Sequence, residues 1–509
     1  MSSPFPAILS LGVVAIIAQT SVNSSPTDSH YNFKEKIVHL DLKGAPLAIS
    51  YMEKVFPLLR KMGATGLLIE YEDMFPYSGS LRNLTALNHY SVENINRLLA
   101  AAQSNNLTTM PLIQTFGHLE FSLKLEEHIE LRENSTNPQA LCPSLNESMQ
   151  MIREMIRQVV DLHKGYITHL HIGSDEVFVI GQCSRCKARM VLRKWTTDDL
   201  FLDHVFEVAS AVKELGIQPV MWDDMLRKVD MSKLSQYKNL SSLVEIMVWQ
   251  YSQILSSDVL LAMEKYIALN FPGIWVASAF KGATDPTYQL PDYTTRLGNN
   301  IAWVLMARIF EDRLNIKGIV LTGWQRFDHF TALCQLFASS VPVLSLCLAY
   351  LNTGSYDTKV LGDIQKLLRC NHPIALDDFS QPLLACDYPG SKVLIAIQQY
   401  NQIRQKRLLT EAKNTYKATM TAMNRNHNFS SPSTLRSAIS EIMAMQQLVK
   451  TVQENLNELA SITDEATLRE WTDTYLSPEI AWINEVQRAA DNMLCRNAWP
   501  RRPLYNDTH

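Results

Sequence analysis

The chain has 509 residues, of which 46% are hydrophobic, and it carries a formal net charge of −4. This length and composition support a large folded core, arranged in one or two domains. The balanced charge provides no field that would hold a polyanion, and the sequence has neither a basic run nor a zinc-finger spacing. A nucleic-acid partner is therefore not expected.

The first residues resemble a secretory signal peptide. Residues 7–18 are almost wholly apolar, and a small polar run at 19–25 follows them, as in the hydrophobic core and cleavage region of such a signal. The apolar stretch is too short for an ordinary membrane span. Residues 1–6 lack Lys and Arg, so an uncleaved membrane anchor is the alternative. We expect residues 1–25 to be a signal or anchor, and the protein to be extracellular or lysosomal.

Glycosylation sequons and cysteines agree with that compartment. Single sequons arise by chance, but many in one chain favour the secretory route; they begin at Asn23, Asn83, Asn106, Asn134, Asn146, Asn239, Asn428 and Asn506. Cys370 and Cys386 bracket a proline-containing segment that a disulfide could close. Cys183 and Cys186 have the spacing of half a zinc site, but no second such pair completes it. Disulfide or loop thiols are expected there, with no metal and no cofactor.

Short apolar runs alternate with longer amphipathic segments along the next part of the chain, which is the pattern of βα units around a parallel sheet. Eight strands are predicted, at 36–42, 66–70, 108–114, 167–173, 218–222, 244–249, 274–279 and 318–323. Helices such as 47–62, 92–104, 149–163, 202–215 and 259–270 lie between them. Eight units in about 310 residues predict an α/β fold, a (β/α)₈ TIM barrel that forms a catalytic domain at 26–370.

The chain changes character at about residue 371. Long, polar, heptad-like segments at 398–423, 433–460 and 465–493 predict a helical C-terminal region over 371–509. Such a region either packs on the barrel as a stabilising cap or pairs with a second subunit, so a homodimer is an open alternative.

Acidic and aromatic residues follow almost every predicted strand, and in a TIM barrel the carboxyl ends of the strands surround one active site. The candidate residues are Asp41, His118, Asp175, Glu176, Trp222, Asp223, Trp249, Tyr251, Trp324 and Asp328. Carboxylates accept hydrogen bonds from sugar hydroxyls, and tryptophan packs on the apolar faces of sugar rings. Phosphate would need glycine-rich nests or several basic groups. The candidates therefore favour a carbohydrate ligand.

The adjacent acids Asp175 and Glu176 carry most of the chemical information. Like charges held close and partly desolvated raise the pKa of at least one partner. A protonated carboxyl can act as a general acid while its ionised neighbour stabilises positive charge. We assign Glu176 as the proton donor and Asp175 as the ionised partner. Taken alone, the same pair also suits a turn before a helix N-terminus.

The segment His-Ile-Gly-Ser-Asp-Glu-Val at 171–177, with tryptophans at later strand ends, resembles the family 20 glycoside hydrolases, the β-N-acetylhexosaminidases. Further matching strings lie at 39–46, 69–77, 114–118, 222–226, 278–283 and 321–326, so the resemblance covers about 36–350. It implies retaining exo-hydrolysis of a terminal N-acetylglucosamine or N-acetylgalactosamine from a glycoconjugate. In that mechanism the substrate's own 2-acetamido oxygen attacks the anomeric carbon and forms an oxazolinium ion.

The resemblance also implies roles for the candidate residues. Glu176 would protonate the leaving oxygen and then activate water, Asp175 would accept from the acetamide N–H, and Tyr251 would supply a second hydrogen bond. The remaining matches are the pocket walls Trp222, Trp249 and Trp324, and the family histidine at His118.

Two positions depart from the family pattern. The family's Arg near the end of the first strand is replaced by Asp41 and Lys43, and the acid two residues after the last tryptophan is Arg326, with Asp328 as the nearest substitute. Contacts to the 3- and 4-hydroxyls are therefore open, and tolerance of both sugar epimers is expected.

Two other functions remain as alternatives. One is a carbohydrate-binding protein on a barrel that has lost catalysis, although such a protein has no need of a paired acid and stabiliser. The other is a glycosidase with a conventional carboxylate nucleophile.

Overall fold

The computed structural model describes residues 30–378 and 383–504. The predicted signal or anchor and the sequons at Asn23 and Asn506 lie outside the described residues. The described part of the chain contains ten strands: β1 Glu35–Asp41, β2 Gly66–Glu70, β3 Thr108–Leu112, β4 Arg132–Asn134, β5 Asn137–Leu141, β6 His169–His171, β7 Gln218–Trp222, β8 Glu245–Trp249, β9 Ile274–Lys281 and β10 Ile316–Gly323.

Eight of these strands form a closed parallel barrel in the order β1-β10-β9-β8-β7-β6-β3-β2. The closure is made by β1, which pairs with β2 on one side and with β10 on the other. Each of the eight corresponds to one predicted strand, so the predicted TIM barrel is confirmed. The two remaining strands, β4 and β5, form an antiparallel hairpin between β3 and β6.

Helices connect the strands and cover the outside of the barrel, which leaves both faces of the strands buried. The larger helices of this part are Ile49–Met62, Val92–Ser104, Asn146–Leu162, Ser184–Arg193, Thr197–Glu214, Ser257–Ala268, Tyr293–Phe310, Phe337–Thr353 and Thr358–Leu368. Shorter ones are Glu120–Leu123, Asp224–Lys228, Met231–Leu234 and Lys238–Leu243. Burial on both faces explains why strands such as β2, in which every residue is buried, are almost continuously apolar.

The core divides into two layers because successive strand residues point to opposite faces. Side chains such as Ile37, Leu68 and Val220 pack together inside the barrel. Their neighbours Val38 and Leu67 instead join the large cluster beneath the helices. The interior is therefore a packed core, and the free space lies above it, at the carboxyl ends of the strands.

Two strands, β3 and β6, are at least two residues shorter than predicted, and both lead into the site. β3 ends at Leu112 and β6 ends at His171, because the segments that follow leave strand geometry. Positive φ angles occur at His118, Gly173, Ser174 and Glu176. The sequence also gave no sign of the hairpin β4–β5, whose three- and five-residue strands are too short and polar to show a two-residue period.

The C-terminal region is helical, as predicted. Its helices are Ser391–Ala412, Asn414–Thr419, Ala422–His427, Pro432–Ala438, Ile442–Leu456, Glu458–Ile462, Glu465–Trp471 and Ser477–Leu494. Part of it packs against the loops of the barrel: Ala48 N–H donates to the Ile462 carbonyl at 2.9 Å. The domain boundaries, the secretory destination and the homodimer stay predictions.

Cys370 and Cys386 form a disulfide, as their positions suggested. Within 30–378 and 383–504, every helix is too short or too polar to cross a membrane.

Candidate active site

A pocket of about 200 Å³ opens at the carboxyl ends of the barrel strands. The structure brings together seven of the ten candidate residues as its lining, namely His118, Asp175, Glu176, Trp222, Trp249, Tyr251 and Trp324. The other lining residues are Lys43, Gln114, Gly282, Ala283, Arg326 and Phe327. Asp41, Asp223 and Asp328 do not.

The acid pair lies on a strained turn directly after β6. Ser174 and Glu176 adopt left-handed backbone with φ of 67° and 46°, which costs free energy for residues that carry a Cβ. Two hydrogen bonds hold this turn: Glu176 N–H donates to Asp224 Oδ2 at 3.0 Å, and Gln139 Nε2 donates to the Glu176 carbonyl at 2.7 Å. The turn is therefore held by Asp224, which follows β7, on one side and by Gln139 of the hairpin on the other.

Gly173 is required at the start of this turn. It has φ of 62°, and a Cβ at this position would lie 2.0 Å from Gln114 Oε1. Only glycine fits such a close approach with a positive φ, so the glycine next to the acids is explained by the backbone and not by contact with a ligand.

His118 contacts both acids through one nitrogen. Its Nε2 atom lies 3.2 Å from Glu176 Oε2 and 3.6 Å from Asp175 Oδ2. Burial opposes the charged imidazolium, but the negative charge of Asp175 and the hydrogen bond to Glu176 outweigh burial and raise the pKa of His118 to about 10. His118 is thus a cation at neutral pH, and it is the counter-charge of the pair.

Asp175 is the more deeply buried acid of the pair. Its side chain is 9% exposed, against 38% for Glu176. Burial raises the pKa of Asp175, and His118 opposes that rise. Oδ1 of Asp175 is buried and accepts no hydrogen bond from the described residues. The ionised state that the sequence assigned to Asp175 therefore depends on the nearby imidazolium, a dependence that sequence alone did not reveal.

Aromatic rings form the walls of the pocket. Trp222 and Trp324 have centroids 6.0 Å apart, and Trp249 stacks on Tyr251 at 5.1 Å. Trp324 Nε1 donates to the Tyr251 hydroxyl oxygen at 3.2 Å, so in this contact the hydroxyl is the acceptor and keeps its own proton. Trp249 Nε1 lies 3.3 Å from Asp224 Oδ1. Asp224 thus joins a wall of the pocket to the backbone of the acid pair.

Lys43 brings a positive charge to the opposite side. Its Nζ atom lies 3.2 Å from Asp41 Oδ2, 3.6 Å from an oxygen of both Glu70 and Glu72, and 5.2 Å from the centre of the Trp324 ring. Burial disfavours the ammonium, but these acids outweigh burial and hold the pKa of Lys43 well above its ordinary value. Lys43 is therefore a charged hydrogen-bond donor at the pocket.

Two candidate acids, Asp41 and Asp328, do not line the pocket because their carboxylates accept hydrogen bonds from backbone N–H groups. Asp41 is buried, and its Oδ2 atom accepts from Gln325 N–H at 2.7 Å. Asp328 accepts from the backbone N–H groups of Phe330 and Thr331, at 2.7 and 2.9 Å, and so closes a turn. The prediction that Asp41 and Asp328 bind substrate directly is not supported by their positions.

Asp223 also lies behind the pocket. It is fully buried, pairs with Arg227 at 2.6 Å, and accepts from Tyr266 Oη at 3.1 Å and from Trp249 N–H at 3.3 Å. Its neighbour Asp224 is the acid that reaches the turn after β6. Burial raises the pKa of Asp224 to about 7, and the charge of Asp175 adds to that rise. No local pattern distinguishes these two adjacent acids.

Arg326 lines the pocket but is held by the C-terminal region. Its Nη2 atom donates to Glu470 Oε2 at 2.6 Å, and its Nε atom donates to the Lys43 carbonyl at 3.1 Å. Sequence analysis could not find this contact, because Glu470 is distant in the chain and lies in a helix without a recognisable motif. The helical region therefore contributes to the shape of the pocket.

Metal-ligand side chains also gather beside the pocket. Glu72, Asp73 and His329 lie close together. Two lysines already supply positive charge there: Lys43 lies 3.6 Å from Glu72, and Lys124 Nζ lies 2.6 Å from His329 Nε2. Positively charged side chains therefore already lie beside this group.

Comparison with known proteins identifies the family. The family model "Glycosyl hydrolase family 20, catalytic domain" matches residues 39–270. Hexosaminidase D of Homo sapiens is 41% identical over 370 residues, which are 72% of this chain and 75% of that protein. The chain belongs to glycosyl hydrolase family 20. Hexosaminidase D of Bos taurus is 41% identical over 337 residues, 65% of this chain and 96% of that protein.

Two solved structures are similar to this chain at lower identity. A β-N-acetylhexosaminidase from Bacteroides fragilis NCTC 9343 is 16% identical, with a TM-score of 0.49, covering 64% of this chain and 67% of the other. An exo-β-N-acetylglucosaminidase from Vibrio harveyi is 15% identical with the same TM-score of 0.49, covering 66% and 57%. The expected enzyme class, a glycoside hydrolase of the β-N-acetylhexosaminidase type, is confirmed by the family match and the two mammalian relatives.

Proposed function

We propose that this family 20 enzyme is a retaining exo-β-N-acetylhexosaminidase that removes terminal N-acetylglucosamine or N-acetylgalactosamine from glycoconjugates by substrate-assisted catalysis. One observation carries the proposal: adjacent acids of unequal exposure share one charged histidine beneath an aromatic wall. A buried acid beside a more exposed one suits two distinct roles, a fixed orienting group and a group that exchanges protons.

Glu176 is the proposed general acid and base. Its side chain is the more exposed of the pair, so it can reach both a leaving glycosidic oxygen at the pocket opening and the water that replaces it. His118 Nε2, at 3.2 Å, can donate to the carboxylate once Glu176 has given up its proton. General acid catalysis of this kind contributes about 10²- to 10⁴-fold to the rate.

Asp175 and Tyr251 are proposed to hold the acetamide. Asp175 Oδ1 is buried and open to one donor, which fits the acetamide N–H. The Tyr251 hydroxyl, which already accepts from Trp324, can donate to the acetamide oxygen. Holding both ends of the amide directs its oxygen towards the anomeric carbon, and the Asp175 carboxylate then stabilises the oxazolinium cation.

The sugar hydroxyls are proposed to meet Lys43. Its charged Nζ atom takes the place of the family's arginine as a donor, although a single ammonium cannot make the bidentate contact of a guanidinium. On the other side, the Asp328 carboxylate accepts hydrogen bonds within its own loop, and Arg326 is paired with Glu470. Among the described lining residues, no carboxylate therefore takes the place of the family's acid. With fewer hydrogen bonds to the sugar hydroxyls, the pocket distinguishes the two epimers less strongly. This favours turnover of both N-acetylglucosamine and N-acetylgalactosamine.

The two alternatives are less consistent with the site. In a conventional retaining enzyme the nucleophile attacks the sugar face opposite the acid, whereas Asp175 is the chain neighbour of Glu176 and touches the same histidine. A carbohydrate-binding protein would gain nothing from the strained turn at Ser174 and Glu176, which costs folding free energy.

A panel of chromogenic β-glycosides tests the proposal. The 4-nitrophenyl glycosides of N-acetylglucosamine and N-acetylgalactosamine should both be hydrolysed, and the glucoside and galactoside, which lack the acetamido group, should not. Comparable kcat on the glucoside would refute substrate assistance. If the protein binds these glycosides but hydrolyses none of them, the carbohydrate-binding alternative would be favoured.

A further inference from the structure

A second cluster of reactive side chains lies outside the pocket, at the base of the hairpin β4–β5. Glu133 lies in β4, Cys142 follows β5, and Cys183 and Cys186 lie at the start of the helix Ser184–Arg193. One ligand atom from each of these four residues lies within 4.8 Å of the other three. Three of the four residues are buried, and Cys183 is partly buried.

The distances match the spacing of ligands around one tetrahedral ion. Cys142 Sγ lies 3.4 Å from Cys183 Sγ and 3.7 Å from Cys186 Sγ, and Cys186 Sγ lies 3.1 Å from Glu133 Oε2. Four ligands at about 2.3 Å from a zinc ion stand about 3.8 Å from one another in a tetrahedron, and somewhat less where one is oxygen. The hairpin residues Glu133 and Cys142 and the C-x-x-C residues Cys183 and Cys186 therefore lie as close to each other as ligands of one ion do.

Local hydrogen bonds orient these groups towards one another. Cys183 Sγ accepts from the backbone N–H of Cys186 at 3.3 Å, which holds the first sulfur of the C-x-x-C turn in place. Glu133 Oε1 accepts from the N–H groups of Gln182 and Cys183, which leaves Oε2 directed at the sulfurs. Among the residues that the structure describes, no ion pair involves Glu133, although it is almost fully buried.

We propose that Glu133, Cys142, Cys183 and Cys186 form a structural zinc site. Three thiolates and a carboxylate with C-x-x-C spacing suit Zn²⁺, and four protein ligands close the site to substrate. The sequence alone favours a disulfide or loop thiols here, because no second C-x-x-C exists. The missing ligands come instead from the hairpin, where Glu133 and Cys142 lie nine residues apart across a turn.

The site connects to the catalytic turn through the same hairpin. Gln139, in β5, donates to the Glu176 carbonyl at 2.7 Å, and its own carbonyl accepts from Leu119 N–H at 3.2 Å. Leu141 N–H donates to the Phe116 carbonyl at 3.3 Å, on the other side of His118. A metal at the hairpin base therefore fixes the strand that supports both Glu176 and His118.

Metal analysis of the full chain, purified without chelator, tests the proposal independently of the catalytic roles. We expect about one zinc per chain, and binding of Co²⁺ in its place should give the charge-transfer absorption of a cobalt–thiolate site. Cys142→Ser and Cys186→Ser should lose the metal. Cys495→Ser, which changes an exposed cysteine far along the chain, is the matched control and should retain it.

Glu133→Gln keeps the size of the side chain and covers the case in which the serine variants fail to fold. It should weaken zinc retention against a chelator by about 10- to 100-fold. Removal of zinc from the wild-type chain should lower kcat by about 10-fold with little change in KM, because the hairpin positions Glu176 without lining the pocket.

Three results would overturn the proposal. They are absence of zinc from a chain whose Cys142, Cys183 and Cys186 are free thiols, a disulfide between Cys142 and either partner in the peptide map, and equal zinc in Cys142→Ser and the wild type. Each is read without any activity assay, so failure of the zinc site and failure of the proposed hydrolysis are distinguishable.

Discussion

Replacement of Asp175 by asparagine is the sharpest perturbation of the proposed mechanism. The substitution keeps the shape of the side chain and removes the negative charge beside the acetamide. Asp175 is 9% exposed, so water screens that charge weakly. Loss of a hydrogen bond to a charged group costs about 1.5–3 kcal/mol, which corresponds to about 10- to 150-fold in rate. Lost stabilisation of the oxazolinium adds to this.

We therefore expect Asp175→Asn to lower kcat by about 10²- to 10³-fold, with a smaller change in KM, because the cation forms only on the way to the intermediate. The assay is steady-state hydrolysis of 4-nitrophenyl N-acetyl-β-glucosaminide, with circular dichroism to confirm folding. Asp328→Asn is the matched control: it changes an acid at the same end of the barrel that closes a turn and does not line the pocket. It should stay within about 3-fold of wild type, since asparagine also caps turns. A kcat for Asp175→Asn within 3-fold of wild type would refute the assigned role.

Three further predictions concern other contacts of the site. Glu176→Gln should lower kcat by about 10²- to 10⁴-fold on 4-methylphenyl glycosides and much less on 2,4-dinitrophenyl glycosides, which need no proton; equal losses on both would argue against a general acid. His118→Asn should flatten the pH dependence of Tm. The pKa of His118 is raised from 6.5 to about 10, so its stabilisation is complete below pH 6.5 and is lost as pH rises to 10; an unchanged slope over that window would contradict the pairing. Glu470→Gln should raise KM several-fold and lower stability by about 1 kcal/mol by releasing Arg326, whereas a change in kcat alone would contradict a positioning role.

The sequence predicted the barrel because each strand is buried on both faces and therefore shows as an apolar run. It also predicted seven lining residues, since the carboxyl ends of parallel strands converge in any such barrel. The pair Asp223 and Asp224 shows where this reasoning fails. Both follow β7, and only the three-dimensional positions of Arg227 and Glu176 decide which acid is buried behind the wall and which supports the turn.

Contacts between distant segments account for the other errors. Asp41 was assigned to substrate, but its oxygen binds the backbone of Gln325, in the segment that follows the neighbouring strand β10. The hairpin β4–β5 is too short to give a periodic pattern, yet it supports Glu176 through Gln139. Such pairings depend on which segments meet after folding, and a local pattern contains no information about them.

The helical C-terminal region has a structural connection to the pocket that its sequence did not indicate. Glu470 holds Arg326, and Trp471 Nε1 donates to Gln289 Oε1 at 2.8 Å, in the loop between β9 and the next helix. These contacts bind the region to the loops that surround the active site. They favour a role for the region as a cap on the barrel. The predicted homodimer is tested separately, by a measurement of molecular mass in solution.

Inhibition by an N-acetylglucosamine thiazoline tests the central claim most directly. This compound has the fused ring of the oxazolinium, so an enzyme that depends on substrate assistance should bind it far more tightly than the product sugar. We expect competitive inhibition of the wild-type chain at least about 10²-fold stronger than by N-acetylglucosamine, and a much smaller preference in Asp175→Asn. Equal inhibition by the thiazoline and the free sugar, with hydrolysis intact, would show that the acetamide takes no part in the reaction.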